Sequence, residues 1–268
     1  MQKILLLSFC CFLFSCSNTS GIPQSGTELS KPLNVQERSY ISHVEADGRL
    51  MFEKDIRAAK ASDILLSKIR PSDYSDFVGW VTYPNKEDFT VSFYEQNGEV
   101  FKIIADVIYS ANGAPVLELA PTREPSIIEI SMIKARIAAL ENGTSACSDR
   151  FNTVIIPSQH NNEWDVYVLA ATTDAKKVQV GGHVKISVAK DSSKVTAIEP
   201  LSKSCLSLDK SGEGLPEGTS ISALTVSHIV SPMPLAIHSY LNLLHQIDLI
   251  VMSERGLWKV KSGKIQLM

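Results

Sequence analysis

An α+β fold, with antiparallel β meanders each preceded by a helix and a small βαββ C-terminal tail, is what the sequence predicts. Three observations point to it: two stretches with apolar residues at helical spacing, runs of β-branched and aromatic residues after each, and Asn-Gly pairs between consecutive runs.

Phe52, Ile56, Ala59, Leu66 and Ile69 predict a first helix over residues 50–69, stopped by Pro71. Strands are expected over 76–83, 90–96, 100–110 and 115–120, where Val, Ile, Phe and Tyr concentrate. Asn97-Gly98 and Asn112-Gly113 separate two pairs of them, and Asn-Gly tolerates the positive φ of a tight hairpin turn. Ile127, Ile130, Ile133, Ile137 and Leu140 form one stripe of a second helix over 124–141. Pro125 falls in its first turn, where a missing N–H costs nothing, and Asn142-Gly143 offers a left-handed C-terminal cap. A second β series follows over 152–157, 164–172, 182–190 and 194–201. After a polar loop over 209–218 comes the tail, with a strand over 222–228, a helix over 234–245 and short strands over 249–252, 257–260 and 264–267. Residues 44–268 are expected to form a single globular domain, with two similar halves (44–121 and 122–202) plus the tail.

The front end reads differently. Met1, Gln2 and Lys3 give a short positive start, and residues 4–14 are apolar except for Ser8. That run is too short to span a bilayer, which takes roughly 20 residues, but fits the apolar core of a signal peptide. Leu13-Phe14-Ser15-Cys16 resembles the lipobox of bacterial lipoproteins, although Phe14 stands where a small residue is usual. The resemblance implies a signal peptide over 1–15, lipidation of Cys16, and a tether over 16–43. Ser17 after the cysteine, rather than aspartate, implies the outer membrane, facing the periplasm. An ordinary secretory leader without lipid is the alternative. Residues 17–34, rich in Ser, Thr, Gly, Pro, Asn and Gln, read as a flexible spacer.

Of five cysteines, Cys10 and Cys11 lie in the leader. With Cys16 lipidated, Cys147 and Cys205 remain as a pair in an oxidising compartment, where a disulfide is expected; two free buried thiols are the alternative. Neither cysteine has the spacing of a zinc site. The charge is balanced, 26 basic against 29 acidic residues, with no basic cluster, so nucleic acid is not an expected partner.

Four segments resemble an uncharacterised family of exported proteobacterial proteins: Tyr167 to Thr173, Gly181-Gly182-His183, Ser204-Cys205-Leu206 and Ile237 to Leu241. The resemblance covers about the C-terminal half. It implies export and a shared fold, and no chemistry.

Histidine is the most suggestive site residue. His183 alternates with Val184, Ile186 and Val188, which predicts it on a polar, accessible strand face. With His228 at a strand end and His238 on the last helix, three separate elements could converge on a metal that supplies a hydroxide nucleophile. His238 and His245 are seven residues apart, about 10 Å along a helix, too far to share one ion. The fragments Ser131-Met132-Ile133-Lys134, Ser110-Ala111-Asn112 and Lys261-Ser262-Gly263 echo penicillin-binding motifs, but in the wrong order and with Ser131 in mid-helix. His160 to Glu163 reads as a solvated hairpin tip, Asp149-Arg150 as a surface pair, and Trp80, Trp164 and Trp258 as packing residues. Serine-hydrolase, P-loop and dinucleotide motifs are absent. The leading expectation is a non-catalytic envelope lipoprotein, without cofactor, held to the membrane by lipid and binding an envelope protein or a small ligand. A periplasmic metal-dependent hydrolase using His183, His228 and His238 is the other.

Overall fold

The computed structural model describes residues 31–70, 77–159 and 162–268, so Cys16, the leader and His160 lie outside the described residues. Among the described residues it is a mixed α+β fold with three helices and antiparallel sheets. Residues 32–268 form one unit.

Helix α1, Val35–Leu66, begins well before the expected position. Residues 35–43, expected as tether, are therefore helical. The reason is Asn34, whose side chain accepts from the Glu37 N–H (2.9 Å) while the Glu37 carboxylate accepts from the Asn34 N–H (2.8 Å). This capping box satisfies two N–H groups that a helix start leaves open.

The first sheet follows, β1 Phe77–Pro84, β2 Phe89–Asn97, β3 Val100–Ile108 and β4 Val116–Leu119, paired antiparallel in that order. Between Asn97 and Val100, positive φ occurs only at Gly98, the first central residue of a two-residue loop. That is what a II′ hairpin turn demands of its glycine.

Helix α2, Ile127–Gly143, starts three residues later than expected, because Ser126 and Glu129 form a second capping box and leave Pro125 outside. Its end also differs. Gly143 stays helical with Thr144 extended after it, so there is no left-handed cap. A Cβ on Gly143 would lie 2.9 Å from Ile186 Cδ1, so this glycine serves close packing of the helix on the next sheet.

That second sheet is built from β5 Phe151–Pro157 and β6 Glu163–Ala170, then, past the short β7 Lys177–Gln179, from β8 Val184–Ala189 and β9 Val195–Pro200, in the order β5-β6-β8-β9. Strand β7 pairs instead with β10, Ser207–Asp209. The tail consists of β11 Ala223–Ser227, α3 Ala236–His245, β12 Asp248–Ser253, β13 Gly256–Lys261 and β14 Lys264–Leu267. Three strands follow α3, one more than a βαββ unit has. β11 pairs parallel to β12, while β12, β13 and β14 pair antiparallel.

Both faces of the second sheet are covered. Trp164, Val166, Val168, Ile186 and Val188 pack against α2 residues Met132, Ile133 and Ala139. On the other face, Val154, Ile156, Tyr167 and Leu169 share a core with Ile41, Val44 and Met51 of α1 and with α3. Farther along α1, Ala61 and Leu65 pack on the first sheet. Buried Lys54 joins the two sheets: its ammonium donates to the Thr82 carbonyl of β1 (2.8 Å) and the Ile155 carbonyl of β5 (2.6 Å). Helices α1 and α3 touch at Gly48, where a Cβ would lie 2.6 Å from both the Ala236 carbonyl and Ser239 Cβ. This close crossing fixes the end of the cavity described next.

Candidate functional site

Helix α1 presents Tyr40, His43, Val44 and Asp47 at i, i+3, i+4 and i+7, one stripe of its surface. Opposite, alternate residues of the second sheet point the same way: Asp165 and Tyr167 from β6, Lys185 from β8 and Glu199 from β9. Between them lies a cavity of about 210 Å³, lined also by Ser158 and Gln159 after β5 and by Leu235 and Ala236 where α3 begins.

The cavity is polar and mostly acidic. Lys185 Nζ sits 2.8 Å from Glu199 Oε1 and 4.0 Å from Asp165 Oδ2, and the Ser187 hydroxyl donates to Asp165 Oδ1 at 2.8 Å. Burial raises the Asp47 carboxyl above its ordinary value, and the charge of Asp165 adds to the rise. Burial, then the charges of Asp47, Asp165 and Glu199, hold the Tyr167 hydroxyl well above its ordinary value, so it stays protonated. Tyr167 is only 4% exposed, and its hydroxyl has no hydrogen-bond partner among the described residues. The neighbouring Tyr40 hydroxyl donates to the Pro234 carbonyl at 3.2 Å.

The three predicted metal histidines do not share a site. His183 is 2% exposed, not on an accessible face, because α1 and α3 cover the face that its alternation marked as polar. Both its nitrogens are engaged: Nδ1 accepts from the Ala170 N–H (3.1 Å), so Nε2–H donates to the Gln179 carbonyl (2.9 Å). His228 and His238 do meet, edge to face with ring centroids 4.7 Å apart. His228 Nε2 lies 2.7 Å from Ser231 Oγ, and His238 Nδ1 accepts from the Leu235 N–H at 3.0 Å. Among the described residues no three His, Cys, Asp or Glu side chains are grouped to hold a metal ion.

These rings have a different consequence. Burial lowers His183 to about 4 and His238 to about 3, with the charge of His228 adding to the latter. Their folded values lie below the unfolded value near 6.5, so the unfolded chain takes up protons first as pH falls. Stability present above about pH 6.5 should drain away between there and pH 4, by about 1.4 kcal/mol per pH unit for each histidine. Urea midpoints at pH 7 and 5 will read it, and His238→Gln should flatten the dependence.

The disulfide forms as the sequence predicts, Cys147 to Cys205 with an S–S distance of 2.05 Å. The Gly181-Gly182 pair makes room for it. A Cβ on Gly182, whose φ is +88°, would lie 2.4 Å from Cys147 Cβ, and one on Gly181 would lie 1.9 Å from the Ser204 carbonyl. The Ser131 fragment is structural as well. Its hydroxyl donates to the Lys190 carbonyl (2.9 Å) and accepts from the Trp164 indole (2.9 Å).

Sequence reasoning missed the cavity. The one available signal was the stripe Tyr40, His43, Val44 and Asp47, hidden because the segment reads as tether until Asn34 is recognised as a cap. Comparison with protein-family models, with curated proteins and with solved structures yields no match.

Proposed function

We propose that the chain is a non-catalytic binding protein of the cell envelope, anchored by lipid on Cys16, whose ligand enters the cavity between α1 and the second sheet. The observation that carries the binding reading is Tyr167, a side chain only 4% exposed whose protonated hydroxyl has no hydrogen-bond partner among the described residues and opens onto a space of about 210 Å³. Among the described residues no buried side-chain nitrogen or oxygen lacks a hydrogen-bond partner, so this hydroxyl meets whatever fills the space, and a ligand there must match the hydrogen bonds that water makes. Such a volume lies below the roughly 300–1,000 Å³ of drug-sized pockets and suits a side-chain-sized ligand.

Anchoring is supported by the charge-free run ending at Leu13-Phe14-Ser15-Cys16. No helix among the described residues is long and apolar enough to cross a membrane. The lipid reading expects wild-type protein grown with labelled fatty acid to carry the label and Cys16→Ala to carry none; equal labelling of both would remove the anchor. The binding reading expects a chemically mixed set of small molecules to contain compounds that raise the melting temperature of wild type but not of Asp47→Trp, which fills the cavity. A set that leaves wild type unmoved contradicts it.

A further inference from the structure

Resting on the binding reading above, we infer that this cavity takes an organic cation, a primary ammonium or guanidinium group on a short aliphatic stem. Two independent observations meet at the same place. The first is charge. The carboxylates of Asp47, Asp165 and Glu199 face one ammonium, that of Lys185, and the His43 imidazole. At 2.8 Å from Glu199 and 4.0 Å from Asp165, Lys185 mainly serves Glu199. Asp47, on the opposite wall, forms no salt bridge among the described residues, and Gln159 lies beside it in the cavity lining. Three carboxylates thus share one ammonium and one imidazole across the space.

The second observation is the Tyr167 hydroxyl. It is nine-tenths buried, lines the cavity, and interacts electrostatically with Asp47, Asp165 and Glu199 while bonding to no described side chain. Its oxygen can accept a hydrogen bond from whatever occupies the space. A ligand that brings N–H donors to Asp47, Asp165 and this oxygen together satisfies all three with charge-assisted hydrogen bonds. An anion would meet three carboxylates. A bare metal ion would lack ligands, since no three His, Cys, Asp or Glu side chains are grouped for one among the described residues. Burial, then the charge of Asp165, raises the Asp47 carboxyl, while His43 and Lys185 oppose the rise.

Calorimetric titration of the full-length protein tests this. The probes are agmatine, n-pentylamine, 1-pentanol and pentanoate, with Gly-Arg-Gly amide as a peptide-borne guanidinium. Agmatine and pentylamine should bind, and 1-pentanol and pentanoate should bind at least about tenfold more weakly. Asp47→Asn and Asp165→Asn should each weaken agmatine about tenfold, and Tyr167→Phe by about three- to tenfold. Melting curves establish that each variant is folded; Asp47→Asn, half-buried on α1, carries the test if Asp165→Asn is not. Tighter binding of agmatine than of the peptide assigns the cation to a free amine, and the reverse to an arginine side chain. Pentanol or pentanoate binding as tightly as the amines overturns the cation inference and leaves the binding reading standing. No binding by any probe overturns the cation inference, and the binding reading falls as well only if the chemically mixed set leaves the wild-type melting temperature unmoved.

Discussion

Replacing both cysteines by alanine, Cys147→Ala with Cys205→Ala, should cost about 4 kcal/mol of unfolding free energy, because the bridge closes a loop of 58 residues. The bond ties the segment leaving α2 to the segment entering β10. Three-residue β7 and β10 make few hydrogen bonds of their own, and the Leu206 carbonyl adds two, accepting from the N–H groups of Val180 (2.9 Å) and Gly181 (2.8 Å). So short a ladder depends on a constraint that brings residues distant in sequence together. Urea unfolding of oxidised wild type against the double variant measures the difference. A loss below about 1 kcal/mol would mean that the β7–β10 pair holds itself, contrary to the loop-closure argument. Gly182→Ala should mimic the loss through free thiols, because a Cβ there would press on Cys147.

Arg123→Ala should be nearly as damaging, by about 3 kcal/mol, because it strands two buried carboxylates. Arg123 Nε donates to Asp106 Oδ2 (2.8 Å), its NH2 group donates to Asp106 Oδ1 (2.8 Å) and Glu129 Oε1 (2.7 Å), and its NH1 group donates to Glu129 Oε2 (2.9 Å). Glu129 is 1% exposed and Asp106 3%. Burial pushes the Glu129 carboxyl up, but hydrogen bonds from Arg123 and Ser126 outweigh it and bring it down to about 2. The same Glu129 caps α2, so the network joins β2, β3 and the start of that helix. Arg123→Lys should recover only part of the loss, since one ammonium cannot bridge two carboxylates as a planar guanidinium does. Denaturant midpoints of the two variants check this, and a fall under about 1 kcal/mol for Arg123→Ala would mean that water replaces the guanidinium freely.

The mixed helix-and-sheet character was legible because hairpin strands announce themselves locally. Val100 to Ile108 and Lys264 to Leu267 combine β-forming residues with turn residues at their ends. The start of α1 was not legible from apolar spacing, because Tyr40, His43 and Asp47, polar or amphipathic, stand where the helix faces the cavity; only the Asn34–Glu37 cap marked it. β7 and β10 were invisible because three residues carry no period. The site failed for one physical reason. Alternation along β8 separates two faces but does not say which is wet, and here α1 and α3 cover the polar one. His183 was thereby buried among backbone partners, while Asp165, Lys185 and Glu199, unremarkable in sequence, came to line a cavity.

A crystal structure of the protein soaked with agmatine tests the central claim most directly. The account expects the guanidinium inside the cavity, within hydrogen-bond distance of the Asp47 and Asp165 carboxylates and of the Tyr167 hydroxyl oxygen. Agmatine seated elsewhere, or a cavity holding only solvent at saturating agmatine, would contradict it.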